Sequence, residues 1–246
     1  LLVEIGPRAL VFHDEWALGD KALIGLLVRV PTVDPTVKWA FDRLSLELTM
    51  RDRREELLWL YDRVLGAVEG TRQIALLEEA ADVARRSQQI DRAIGYLERL
   101  FDADPRRAAI AASLERLLEQ RARHADLLAL WKRRMDVEAP AEAARLRCRA
   151  AGFCLDTMDD PAAALETLQP LEEEPGTERE AACALLERLI DGPAATPASR
   201  LEALARLRAR YDAAAQPCEL VRALRSVLAR ASDATPELDV ARLHAE

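Results

Sequence analysis

Hydrophobic positions along most of this chain recur at i, i+3, i+4 and i+7, and no segment alternates with a period of two. Such a stripe predicts amphipathic helices and argues against strands. Leu114, Leu117 and Leu118 carry it on one helix, and Leu127, Leu128 and Trp131 continue it on the next. The pattern predicts helices at about 20–31, 36–50, 54–68, 72–87, 90–102, 106–121, 124–137, 141–156, 161–173, 178–190, 197–212, 217–231 and 236–245. Their starts have a chemical cause. Pro35, Pro105, Pro140, Pro161, Pro175, Pro197, Pro217 and Pro236 fall where these helices begin. A proline there gives up an N–H that has no partner inside the helix, and its fixed φ suits the first turn. Asp34, Asp104 and Asp160 precede three of these prolines and Thr235 a fourth, as expected of N-caps.

The helices repeat. Ile24-Gly25, Leu27, Arg29 and Asp34-Pro35 recur as Ile94-Gly95, Leu97, Arg99 and Asp104-Pro105, every pair separated by the interval from Ile24 to Ile94. The same offset carries Leu44 to Leu114, Leu48 to Leu118, Arg51 to Arg121, Arg53 to Arg123, and Tyr61 to Trp131. One period spans four helices, so the structural unit is a helix pair of about 35 residues. A single pair cannot hide its apolar face, and stacked neighbours supply the missing burial. Residues 186–190 (LERLI) echo 114–118 (LERLL), after which a turn-rich stretch, 191–197 (DGPAATP), breaks the register. The expected organisation is helical repeats over 1–190, clear from about 20, an irregular loop at 191–197 marking a bend or seam, and further repeats over 198–246. With Leu1 in place of Met and the pattern still running at Glu246, the sequence reads as part of a longer array.

Composition narrows the chemistry. Hydrophobic residues make up 50% but aromatics only 4%, so the core must be built of Ala and Leu. A formal net charge of −8 argues against nucleic acid as a partner. The longest apolar run, Ala22 to Val28, is far short of the ~20 residues of a membrane span, and a cytoplasmic location is expected. Cys148, Cys154, Cys183 and Cys218 form no CxxC and have no His at ligand spacing; they read as small buried thiols, with no metal and no cofactor. His13, His124 and His244 lie far apart, and no HExxH, GxSxG or glycine-rich phosphate loop is present, so no enzymatic activity is expected.

The helix-pair unit, with Ala93, Leu97 and Pro105 spaced along its second helix, resembles the tetratricopeptide repeat. The resemblance covers nearly the whole chain after about residue 20. It departs on the first helices, where Leu77, Ala80, Ala81 and Ala84 stand in place of the family's Trp and Gly-Tyr signature. The Ala/Arg-rich composition is similar to that of large multi-repeat proteins from high-GC bacteria. The resemblance implies an all-α, right-handed α-solenoid whose first helices line a concave groove that holds peptides or other proteins. Carried over by spacing, the groove would include Trp39 and Asp42, then Glu78, Asp82 and Arg85. Ala109, Ala112, Arg116 and Glu119 follow, and then Arg145, Cys148 and Gly152. The chain contains no Asn, so the Lys/Asn clamp with which chaperone-tail-binding members hold a terminal carboxylate is not expected.

The arginines are periodic too. Arg51, Arg53 and Arg54 fall at one inter-helix turn, Arg85 and Arg86 at the next, and Arg121 and Arg123 with His124 at the one after. Alternate turns carry Asp102 and Asp104, Glu138, and Glu172 to Glu174. Charges complementing helix ends produce such a pattern unaided; a basic edge that steers an acidic partner is the functional reading. Trp59 and Trp131, on second helices, are expected to fill the core between repeats, whereas Trp39 is either core or an exposed aromatic anchor. The expected function is a non-catalytic scaffold that holds a peptide or protein on its groove or its edge. Self-association end to end and a regulatory arm of a larger multidomain effector are the alternatives.

Overall fold

The computed structural model describes residue 29, residue 34, and residues 36–171, 177–213 and 217–234. The expected helices at 20–31 and 236–245, the cap at Thr235, Pro35, Pro175, Pro236, Glu172 to Glu174, His13 and His244 lie outside the described residues. Among the described residues the chain is all-α, with no strand. The helices are α1 (Lys38–Met50), α2 (Arg54–Leu65), α3 (Gly70–Arg86), α4 (Ile90–Ala103), α5 (Ala108–Gln120) and α6 (His124–Met135). They continue as α7 (Pro140–Asp156), α8 (Pro161–Leu168), α9 (Thr177–Asp191), α10 (Pro197–Ala213) and α11 (Pro217–Ala234).

The chain divides into two compact units, Leu1–Arg123 and His124–Glu246. In the first, α1 to α5 pack in chain order, each on the next. In the second, α6 to α11 do the same, and α7 also packs on α9, α8 on α10 and α9 on α11. Each unit is thus a stack of antiparallel helix pairs, the layout of an α-solenoid. The 191–197 stretch lies within the second unit. There the buried Arg200 donates from Nε to the Ile190 carbonyl at 3.1 Å and from Nη2 to that of Gly192 at 2.8 Å, closing the C-terminal end of α9.

The turn inside each helix pair is built the same way three times. Asp52, Gln88 and Ala122 have φ of 54°, 60° and 51°. Their N–H groups donate to Thr49, Arg85 and Glu119, at 3.1, 3.1 and 3.0 Å. The next residues, Arg53, Gln89 and Arg123, each donate at 2.9 Å to Leu48, Ala84 and Leu118. This is the Schellman arrangement, which leaves few helix-end carbonyls unsatisfied. Asp159, φ 51°, ends α7 with one more residue in the turn, Asp160 donating to the Cys154 carbonyl at 2.9 Å. None of the four is a glycine, although a side chain in this region costs roughly 1–2 kcal/mol.

Helix starts follow the proline rule in part. α7, α8, α10 and α11 open on Pro140, Pro161, Pro197 and Pro217. Asp160 caps α8, accepting from the Ala163 N–H at 3.0 Å, and the Thr196 hydroxyl accepts from that of Ser199 at 3.1 Å in front of α10. Asp104 does not cap α5. Its carboxylate accepts from the Arg106 N–H at 3.2 Å, closing a local turn, and Arg107 becomes the residue before the helix. Asp34 likewise accepts from Thr36 N–H at 3.0 Å, short of α1's N-cap Val37. A short Asp side chain that reaches its own i+2 amide competes with the helical first turn. The expected helix at 161–173 is also cut short: α8 ends at Leu168 and continues as a 3₁₀ turn, Gln169–Leu171, around Pro170, whose ring and missing N–H bar further α-helix.

Aligning the chain on Asp52, Gln88 and Ala122 explains the long offset in the sequence, which is two steps of about 35 residues each. Equivalent buried positions alternate in size. Leu44, Ala80 and Leu114 are one such set on the first helices, and Leu48, Ala84 and Leu118 another. At the equivalent position on the second helices stand Leu57, Ala93 and Leu127, and at the next Tyr61, Leu97 and Trp131, all buried. Ala164 and Leu168, counted from Asp159, carry the alternation one step further. A bulky repeat beside a small one fills a layer that two bulky ones would overfill.

Side chains bridge successive second helices at a constant step. The Tyr96 hydroxyl donates to Asp62 at 2.5 Å, Arg99 donates to the Leu65 carbonyl at 3.3 Å, and Gln89 donates to Glu55. Trp131 is buried, edge-on to Phe153 with ring centroids 5.4 Å apart and the Arg149 guanidinium 4.7 Å from its ring. Trp59 corrects the sequence expectation: it is 40% exposed. The inward stripe of α2 is Leu57, Leu58, Leu60, Tyr61, Val64 and Leu65, which leaves residue 59 on the outer face. Cys218 is exposed as well, and only Cys154 is fully buried; Cys148 and Cys183 are half-buried.

Three measurements test this account. Leu114→Ala is expected to cost about 2–5 kcal/mol and Ala80→Leu about 1–3 kcal/mol in urea unfolding, since one empties and the other overfills the same layer. Ala122→Gly is expected to stabilise by about 0.5–1 kcal/mol, the left-handed strain it removes exceeding the added chain entropy. Burial, followed by the Asp160 carboxylate, pushes the Cys154 thiol up to about 11 from 9.0. The folded state therefore holds that proton more tightly. Its contribution is complete below pH 9 and lost as pH rises towards 11, a decline of about 2–3 kcal/mol that Cys154→Ala should flatten in unfolding titrations across that window.

Candidate functional site

The first unit carries an open cleft of about 300 Å³ between α3 and α5, with α4 beneath. On α3 the small Ala81 lines it. Leu97 of α4 and Leu117 of α5 supply an apolar floor. Asp82 and Arg85 rise from α3, and Arg116 from α5.

The cleft is lined by Asp82, Arg85 and Arg116, three of the positions that the family resemblance implies for a groove. Asp82 and Arg85 are an i, i+3 ion pair at 2.8 Å, both more than half exposed, so the pair adds little to stability. Arg116 has no hydrogen bond or ion pair among the described residues. Glu119 stands at i+3 on the same helix but makes no ion pair with it, and the acid that lines the cleft, Asp82, is taken by Arg85. The site thus holds two guanidinium groups against one carboxylate, on a chain whose formal net charge is −8.

Sequence reasoning missed Gln88, Ser113 and Gln120, which complete the polar rim. Ser113 and Gln120 stand at i−3 and i+4 from Arg116, so helical spacing places them on its face. Gln88 could not be found that way, because it sits at the left-handed turn beyond α3.

The remaining expected groove residues are distributed as follows. Trp39 is half-buried on α1 and Asp42 is exposed. Glu78 is exposed and pairs with Arg107 at 2.6 Å. Glu119, Ala109 and Ala112 are exposed on α5. In the second unit Arg145 is exposed, 3.6 Å from Glu142 and 3.9 Å from Glu178, while Cys148 and Gly152 are half-buried against α9.

The edge arginines are mostly matched within the chain. Arg51 pairs with Glu47 at 3.3 Å, Arg53 with Glu56, Arg54 with Asp52 at 2.5 Å, Arg121 with Asp91 at 2.6 Å and Arg123 with Glu98 at 3.8 Å. The Arg54 guanidinium also donates to the carbonyl of Arg86, at the C-terminal end of α3, at 3.2 Å. Among the described residues no group of three or more His, Cys, Asp or Glu is arranged to hold a metal ion, and no helix is long and apolar enough to cross a membrane.

No family model and no curated protein matches the chain. Among solved structures, a chain described as a kinesin light chain of Podosopora anserina with nearly identical TPR-like repeats is similar at 16% identity. The match covers 82% of this chain and 98% of that one, with a TM-score of 0.29. At that score the superposition is loose, and the fit to a divergent TPR-like repeat rests on this chain's own helix pairs and the recurrence of one turn at Asp52, Gln88 and Ala122.

Proposed function

We propose that this chain is a non-catalytic protein-interaction module that holds a peptide or protein segment in the cleft between α3 and α5. The observation that carries this reading is the convergence of Asp82, Arg85 and Arg116, from two different helices, over the apolar floor of Leu97 and Leu117. Exposed charges framing a dry floor are what a docking segment needs: apolar contact for affinity and polar groups for register. The groups sit on packed helices, so little ordering accompanies binding. The arginine edge is the lesser surface, because carboxylates of the same chain already meet Arg51, Arg53, Arg54, Arg121 and Arg123. Asp42, Glu78, Arg86, Glu119 and Arg145 lie outside the lining of the cleft, and single substitutions there are expected to have small effects.

A photo-crosslinking amino acid at residue 113, inside the cleft, and at residue 59, on the outer face of α2, separates the possibilities. The expected result is a heterologous protein captured from position 113 and not from 59, which then forms a binary complex with the purified chain. Equal capture from both positions, or capture from 113 of only a second copy of this chain, overturns the proposal; the latter outcome points to self-assembly.

A further inference from the structure

We infer that the cleft between α3 and α5 selects an acidic segment, one whose Asp or Glu carboxylate sits between Arg85 and Arg116 while an adjacent apolar residue lies on Leu97 and Leu117. The inference rests on reading the cleft as a partner site and names the chemistry of the occupant. Charge complementarity is its basis. Arg51, Arg121 and Arg123 on the edge of the same unit find carboxylates in the chain, whereas Arg116, inside a concavity, has none among the described residues. Arg85 spends one terminal nitrogen, Nη2, on Asp82 at 2.8 Å. Guanidinium groups favour planar carboxylates, to which they can give two parallel hydrogen bonds. The flanking amides of Gln88 and Gln120 can donate to the same group or to the segment's backbone. The only carboxylate lining the cleft is that of Asp82, so a basic segment would find one acceptor that Arg85 already holds and two guanidinium groups opposing it. A cleft of about 300 Å³ with an open mouth takes one or two side chains of an extended strand rather than a folded domain.

The test uses the full chain and two fluorescein-labelled nonapeptides with amidated C-termini, one alternating Glu and Leu and the other Gln and Leu. Fluorescence anisotropy at about 50 mM salt is expected to show the Glu peptide binding at least tenfold more tightly than the Gln peptide, with the difference shrinking as salt rises. Arg116→Gln should weaken the Glu peptide at least tenfold, and Arg106→Gln, an exposed arginine outside the cleft, less than twofold. Asp82→Asn releases Arg85 from its internal partner and should tighten the Glu peptide several-fold, a gain that damage to the fold does not produce. No saturable binding of the Glu peptide, equal binding of the two peptides, or Arg116→Gln without effect overturns the inference. Crosslinking from residue 113 reports on occupancy of the cleft regardless of charge. Capture there with a flat charge series discards the acidic segment alone, and failure of capture discards the partner site with it.

Discussion

No helix pair in this chain can bury its own apolar stripe, and that constraint organises everything else. Most helices in the first unit are short enough to be marginal alone, and Leu44, Leu58, Leu77, Ile94 and Leu114 become fully buried only because a neighbouring helix covers them. With few aromatics available, the fill between helices is set by Leu against Ala. The chain alternates them: Leu44, Ala80, Leu114 on first helices and Leu57, Ala93, Leu127 on second ones. Volume is conserved over two repeats rather than one. The residue pattern of the sequence therefore returns only at every second helix pair, while the backbone turn returns at every pair.

The stack also needs every pair to fold back at the same angle. Three identical turns at Asp52, Gln88 and Ala122 meet this requirement without glycine, each accepting left-handed strain in return for two satisfied carbonyls. Polar side chains then hold neighbouring repeats in register, Tyr96 to Asp62 and Arg99 to Leu65 in the first unit, Lys132 to Glu166 at 3.9 Å in the second. Burial and the adjacent carboxylate both raise the Tyr96 phenol, so it remains a donor to Asp62 across the physiological range.

The cleft between α3 and α5 meets the small Ala81 on α3, and its rim carries an arginine with no partner among the described residues. Elsewhere on the first unit many surface arginines meet nearby acids, which keeps the wider surface mixed in sign.

The all-helical class, the helix-pair unit and the inward stripes were legible in the sequence, because helical periodicity and proline placement are local properties written into neighbouring residues. Asp82, Arg85 and Arg116 all line the cleft between α3 and α5, but whether that cleft is a groove for a partner is a proposal and not something the spacing of helices decides. Partners across space were not legible. Asp104 reads as a helix cap until its carboxylate is seen closing a turn on Arg106, and Trp59 reads as core until the stripe of α2 is seen to face the other way. The tertiary structure alone decided which arginines meet a carboxylate, because Arg121 reaches Asp91 and Arg107 reaches Glu78 across helices whose separation no local spacing encodes. It alone decided that Arg116 does not. An unpaired charge is a property of everything around it, and only the packed chain determines what that is.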